Sequence, residues 1–274
     1  MNFFESILYG LISGFTEFLP VSSQGHQAIM FALFGCDTRE PLRDLFIHIA
    51  VIIALSITCK PLFSKLRREQ ILLARSNRRR RSVRRGQFDL RLIKTAGFSL
   101  ILGLMLYIVT KKWEFELRYV AMFFCINGLI LIIPEYIRHG NKDARFMTGF
   151  DGFLLGLLGA FSVMPGLSRV GIMSAYSLTR GADRQQSMNW VLPLCIPALI
   201  VCLGFDAVHL FSIGIGITGF VGFLTCILSG VAAFIGGYFG VRLVRFLTVQ
   251  TGFAGCAYYS WGAALFAFVL YLIA

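Results

Sequence analysis

Two polar, proline-broken turns lie inside apolar sequence, and they limit what this chain can become more than any other feature. The first is Gly14-Phe15-Thr16-Glu17-Phe18-Leu19-Pro20-Val21-Ser22-Ser23-Gln24-Gly25-His26. The second is Phe161-Ser162-Val163-Met164-Pro165-Gly166-Leu167-Ser168-Arg169-Val170-Gly171. Proline removes a helix hydrogen bond and restricts the residue before it. Irregular backbone at membrane depth survives only where protein or a wet cavity satisfies it. Ionisable residues there are expensive and read as functional. The apolar regions 3–35, broken at Pro20 to Gly25, and 148–180, broken at Pro165 to Gly171, therefore predict two re-entrant helix–turn–helix hairpins. Paired broken helices in two halves of a chain point to one shared site.

The remaining sequence sets these turns in a membrane. Of 274 residues, 57% are hydrophobic and only 15% charged, whereas a soluble domain carries about a quarter charged residues. Uninterrupted spans of the required length, about 17–25 residues, fall near 43–59, 94–110, 119–137, 188–206, 215–241 and 253–273. Met1 to Glu5 offer no basic n-region, and the first apolar stretch contains Glu17 but no small-residue cleavage site, so signal-peptide processing is not expected. The seven cysteines form no CxxC and no Cys/His metal spacing, and they read as small buried hydrophobes.

Charge fixes the expected orientation. Between Lys60 and Lys94 there are 13 Lys/Arg against 2 Asp/Glu, which is +11 of the chain's formal +12. The centre of this run is Arg78-Arg79-Arg80-Arg81 followed by Arg84-Arg85. No aromatics are interleaved with the arginines, so no nucleic-acid partner is expected. A basic segment between apolar spans is instead a cytoplasmic loop, here 60–93, able to contact anionic membrane lipids. The first hairpin then enters from outside and the second from inside, with Arg138, Lys142, Arg145, Arg242 and Arg245 on the inner side. Lys111, Lys112 and Arg118 fall outside, a weak exception.

Each half reads as a hairpin followed by three spans, the second half inverted. The expected fold is an all-α integral membrane protein with an inverted-topology repeat. A single domain, 1–274, would contain repeat one (1–140) and repeat two (148–274). Gly10-Leu11-Ile12 and Phe15-Thr16 align with Gly156-Leu157-Leu158 and Phe161-Ser162 at a constant offset of 146 positions.

The two turns carry a coherent chemistry. Glu17 can serve as a general base or as a ligand for a hard cation such as Mg²⁺ or Ca²⁺. Ser22 and Ser23 supply hydroxyls, one of which could attack phosphorus, and His26 can relay a proton. Arg169 offers a planar, always-charged fork for phosphate oxygens. Backbone N–H groups near Gly25 and Gly171, where helices restart, add anion-binding dipoles. Plainer readings stand beside these. Ser22, Ser162 and Ser168 suit small-residue packing, His48 suits a satisfied core group, and Glu17 with Arg169 suits a structural bridge.

At these same residues, Gly14 to His26 and Pro165-Gly166-Leu167-Ser168-Arg169, the chain resembles the bacterial undecaprenyl-pyrophosphate phosphatases, the bacitracin-resistance membrane family. The resemblance implies hydrolysis of the lipid diphosphate on the outer side of the cytoplasmic membrane, assisted by a divalent cation (Mg²⁺ or Ca²⁺). It implies Glu17, Ser23, His26 and Arg169 as catalytic residues, with Glu17 also at the metal. It implies Ser22, Gln24, Gly25, Ser168 and Gly171 around the substrate. Three positions depart from the family pattern. Ser13 stands where a Glu or Gln is usual, Val170 stands where a Ser is usual, and the span 94–110 lacks an early proline. Ser23 is the expected nucleophile, with His26 or Glu17 taking its proton, while direct attack by His26 stays open. The competing reading is a carrier that moves a polyprenyl phosphate without hydrolysing it. The sequence is compatible with a homodimer.

Overall fold

Both broken segments start with the same device. Asn2 caps α1 (Phe3–Glu17): its side chain accepts from the Glu5 amide, and the Glu5 carboxylate accepts in turn from the Asn2 amide. Thr148 and Asp151 form the equivalent reciprocal cap on α7 (Gly149–Ala160). Each cap satisfies N–H groups that a helix start leaves without partners. After a turn, each segment resumes as a second short helix, α2 (Ser23–Leu33) and α8 (Arg169–Thr179).

The computed structural model describes residues 1–36, 40–76, 86–110, 116–137, 140, 142, 144–213 and 219–273. Its regular structure among these residues is all helical. The other long helices are α3 (Pro41–Thr58), α4 (Lys60–Ser76), α5 (Gly86–Thr110), α6 (Leu117–Ile132), α9 (Arg184–Ile213), α10 (Gly219–Gln250) and α11 (Ala254–Ile273). Five described helical stretches are long and apolar enough to cross a membrane: Pro41–Thr58, Leu117–Tyr136, Arg184–Ser212, Gly219–Gln250 and Ala254–Ile273. The chain is a multi-pass, all-α membrane protein.

Several boundaries differ from the sequence expectation for physical reasons. The basic segment 60–93 is not simply a loop. Residues Lys60–Ser76 form α4, because Leu62, Phe63 and Leu66 recur on one face and pack against the main core. The next helix starts at Gly86 rather than near 94, so Asp89, Arg91 and Lys94 belong to its first turns. Helix α9 begins at Arg184, ahead of its apolar window, where Arg184 is paired with Glu135, and α10 runs past its window to Gln250. The span expected over 119–137 instead tightens into a 3₁₀ turn at Ile133–Tyr136, where Pro134 prevents continuation. Arg78–Arg81, Arg84, Arg85, Lys111, Lys112 and Arg138 lie outside the described residues.

Helix packing relies on small residues. Gly10 and Gly14 of α1 lie directly on the backbone of Ser229 and Ala233 in α10, where a Cβ would strike the carbonyl oxygens. Ser229 Oγ donates to Ser6 O across this seam at 2.8 Å. In lipid, such close backbone approach supplies the packing energy that hydrophobic burial supplies in water. Helix α7 lies on α5 in a related way, with Ser99 Oγ donating to Phe153 O at 2.8 Å. Helix α3 packs on α9 and α10, and α6 packs on α11. Large apolar side chains such as Phe98, Phe211, Phe220 and Leu265 remain exposed, as a lipid-facing surface requires.

Candidate active site

The two turns touch, and two serines join them. Ser22 caps α2 and accepts from the Gly25 amide at 3.2 Å, while its hydroxyl oxygen also accepts from the Gly166 amide of the other turn at 3.0 Å. Ser168 caps α8 by accepting from the Gly171 amide at 3.1 Å and donates to Leu19 O of the first turn at 3.0 Å. The first contact demands unusual backbone. Ser22 has φ +65°, a region that non-glycine residues rarely occupy. Gly166 has φ +112° and lies against the backbone of α6. Such strain persists only where surrounding contacts over-determine it, commonly at functional sites.

Asn127 of α6 completes the clamp. Its Nδ2 donates to Pro20 O and to Ser260 Oγ, both at 3.0 Å, and its Oδ1 accepts from the Ser168 amide at 2.9 Å. One fully buried amide thus holds both turns and α11. The sequence reading missed Asn127, although a lone amide in an apolar span was a usable signal.

The predicted ionic residues meet at one side of this junction. Arg169 Nη1 pairs with Glu17 Oε1 at 3.1 Å, Nε donates to Ser162 Oγ at 3.2 Å, and Nη2 approaches Cys202 Sγ at 4.0 Å. Both charged groups are largely shielded, at 7% and 14% side-chain exposure. Glu17 ends α1 and Arg169 starts α8. Each therefore sits at the helix end whose dipole disfavours its own charge, and the pairing offsets that mismatch. The positive start of α8 and the guanidinium together favour an incoming anion.

His26 forms a second cluster. Its Nδ1 lies 2.7 Å from Ser22 O, and its Nε2 lies 2.7 Å from the Tyr259 hydroxyl. A carbonyl only accepts, so Nδ1 carries the proton, and in the neutral form of the ring the Nε2 lone pair points at the Tyr259 hydroxyl. Tyr259 also stacks on the ring, with centroids 5.6 Å apart. Nothing in the sequence distinguished Tyr259. Tyr259→Phe keeps the stack and removes one neutral hydrogen bond. It should lower turnover by about two- to tenfold, far less than His26→Ala, as measured by steady-state phosphate release.

The remaining predicted residues are placed as follows. Ser23 Oγ donates to Ser13 O at 3.1 Å, and among the described residues it shares no hydrogen bond with His26 or Glu17. Gln24 is half-buried and makes no side-chain hydrogen bond among the described residues. Gly25 lies against the Phe124 ring and the Gly166 amide, and Gly171 lies against Leu131, Ser168 and Pro20. Ser13 Oγ is buried with no hydrogen-bond partner among the described residues. Val170 is fully buried in the main apolar cluster, where a serine would need a partner for its hydroxyl. His48 is bonded through Nδ1 to Asp206 Oδ2, a further ionisable pair within the helical bundle.

These features define a polytopic membrane protein in which two broken helices meet beside a shielded Arg169–Glu17 pair. The chain belongs to the bacitracin resistance protein BacA family, whose model matches residues 6–266. Similar proteins include the undecaprenyl-diphosphatase of Treponema denticola, 29% identical over 96% of this chain and 100% of the relative. The undecaprenyl-diphosphatase of Carboxydothermus hydrogenoformans is 25% identical over 95% of this chain and 94% of its own length. That of Alkaliphilus metalliredigens is 26% identical over 95% and 96% respectively.

Proposed function

We propose that this chain hydrolyses undecaprenyl diphosphate to undecaprenyl phosphate and orthophosphate, recycling the lipid carrier for cell-wall synthesis. The observation that carries this reading is the shielded Arg169–Glu17 pair set beside the turn that holds Ser22, Ser23 and His26. Arg169 exchanges its carboxylate partner for diphosphate oxygens, which its fork can bind through two hydrogen bonds. The starts of α2 and α8 add amide dipoles. Ser22 already accepts two amide hydrogens, so its own hydroxyl hydrogen is free to donate to a phosphate oxygen.

Ser23 is the proposed nucleophile. Its hydroxyl turns from the Ser13 carbonyl to the terminal phosphorus, and its proton passes to the His26 Nε2 lone pair or to Glu17. The P–O–P bond breaks, undecaprenyl phosphate leaves, and water then releases the phosphate. Attack by His26 Nε2 itself is the second route.

Among the described residues, no group of three His, Cys, Asp or Glu side chains forms a metal site. Mg²⁺ is commonly held by one or two carboxylates together with substrate phosphates and water. Glu17 and the unpartnered Ser13 hydroxyl suit that arrangement. Bound there, a divalent cation would neutralise charge developing on the phosphoryl oxygens.

The fold reading is an inverted repeat of re-entrant hairpins within a single domain, in the bacterial cytoplasmic membrane, with the site open to the outside. Three matched pairs support it. Asn2 and Thr148, Ser22 and Ser168, and Gly25 and Gly171 occupy equivalent cap positions, each 146 residues apart. The packing exchanges in the same sense, α1 on α10 and α7 on α5, while α3 meets α9 and α6 meets α11. A carrier could share this architecture, but it needs no imidazole with a directed lone pair. Product analysis separates the two. The hydrolase yields lipid monophosphate and orthophosphate in equal amounts, whereas a carrier returns the lipid diphosphate unchanged.

A further inference from the structure

A second basic feature lies where α3 ends and α4 begins. A cavity of about 480 Å³ opens between the end of α3, the start of α4 and the last third of α10. Lys60, Arg242 and Arg245 line it, together with Tyr238, Ile57 and Pro61. The Arg242 guanidinium lies over the Tyr238 ring, 4.5 Å from its centroid, which fixes one cation against the wall. Among the described residues, none of the three cations has a carboxylate partner. Helix-dipole compensation at the end of α3 accounts for Lys60 alone. Arg242 and Arg245 lie more than a turn before the end of α10 at Gln250, and that effect fades within the last turn.

The wall identifies the source of the anion. Ile57 at the rim is 53% exposed, and Phe239 and Phe246 on α10 are exposed by more than half. The cavity therefore opens beside the lipid-facing surface.

We propose that Lys60, Arg242 and Arg245 bind the headgroup phosphate of an acidic glycerophospholipid, with its acyl chains along α3 and α10. This is a built site that takes only Lys60 from the basic segment 60–93, distinct from diffuse attraction by the rest of that segment, and it does not depend on the phosphatase reading.

The test is native mass spectrometry of the purified chain titrated with phosphatidylglycerol or phosphatidylcholine. Each cation near an anionic headgroup contributes about fivefold (~1 kcal/mol). Lys60→Gln/Arg242→Gln/Arg245→Gln should therefore weaken phosphatidylglycerol binding roughly a hundredfold. Lys65→Gln/Arg67→Gln/Arg68→Gln removes the same charge from exposed positions on α4 and should leave it unchanged. An unchanged thermal melting transition in detergent checks folding of both variants, and if the first does not fold, Arg245→Gln alone should weaken binding about fivefold. Equal weakening in both triple variants, or none in the first, overturns the site. Displacement of the lipid by glycerol 3-phosphate at matched concentration overturns the assignment to a lipid headgroup.

Discussion

Arg169→Ala should reduce phosphate release from undecaprenyl diphosphate by at least about a hundred- to a thousandfold, the range for removing one dedicated charge-stabilising donor. Arg169→Lys should fall nearly as far, because an ammonium keeps the charge but loses the planar fork. The difficulty is folding. Removing one partner of a buried pair costs about 3–5 kcal/mol, since the other charge is stranded, and here that charge is Glu17. Glu17→Gln/Arg169→Gln removes both charges, matching the glutamate in shape and keeping the first part of the arginine stem. It should recover most of the thermal stability lost in Arg169→Ala while remaining inactive. Stability and turnover returning together would make the pair a structural bridge.

Asn127→Leu should have the largest effect of any change outside the predicted site. Leucine conserves volume but strands the Ser168 amide and the Pro20 carbonyl, both buried against α6. Each stranded group costs about 1–3 kcal/mol. The loss acts on the clamp between the turns, so turnover should fall at least about tenfold even below the temperature at which the variant unfolds. Differential scanning in detergent and phosphate release at low temperature measure the two effects separately. Wild-type values in both would show that the serine contacts hold the turns unaided.

Much of this was legible in the sequence, and the gaps have physical causes. Proline and glycine between apolar runs located both broken helices, because their backbone restrictions are local. Glu17 and Arg169 were predicted together, because two opposite charges inside apolar sequence need one another or a ligand. The extent of α4 was missed, since a run of arginines reads as solvated loop unless the Leu62, Phe63 and Leu66 face is weighed against it. Tyr259 was invisible, because only the tertiary fold brings a residue 233 positions away onto His26. Ser23 and His26, expected to pass a proton between them, share no hydrogen bond among the described residues. Ser23 starts α2 and points its hydroxyl back to Ser13, whereas the His26 ring faces Ser22 and Tyr259. Three residues along a helix do not by themselves put two side chains in contact.

The most direct test of the central claim is orthophosphate release from undecaprenyl diphosphate by the purified chain, with Mg²⁺, Ca²⁺ or chelator, beside Glu17→Gln/Arg169→Gln. The account predicts release that the cation supports, that chelator suppresses, and that the folded double variant lacks. Folded wild-type chain that binds the lipid diphosphate and releases no phosphate under any of these conditions would contradict it.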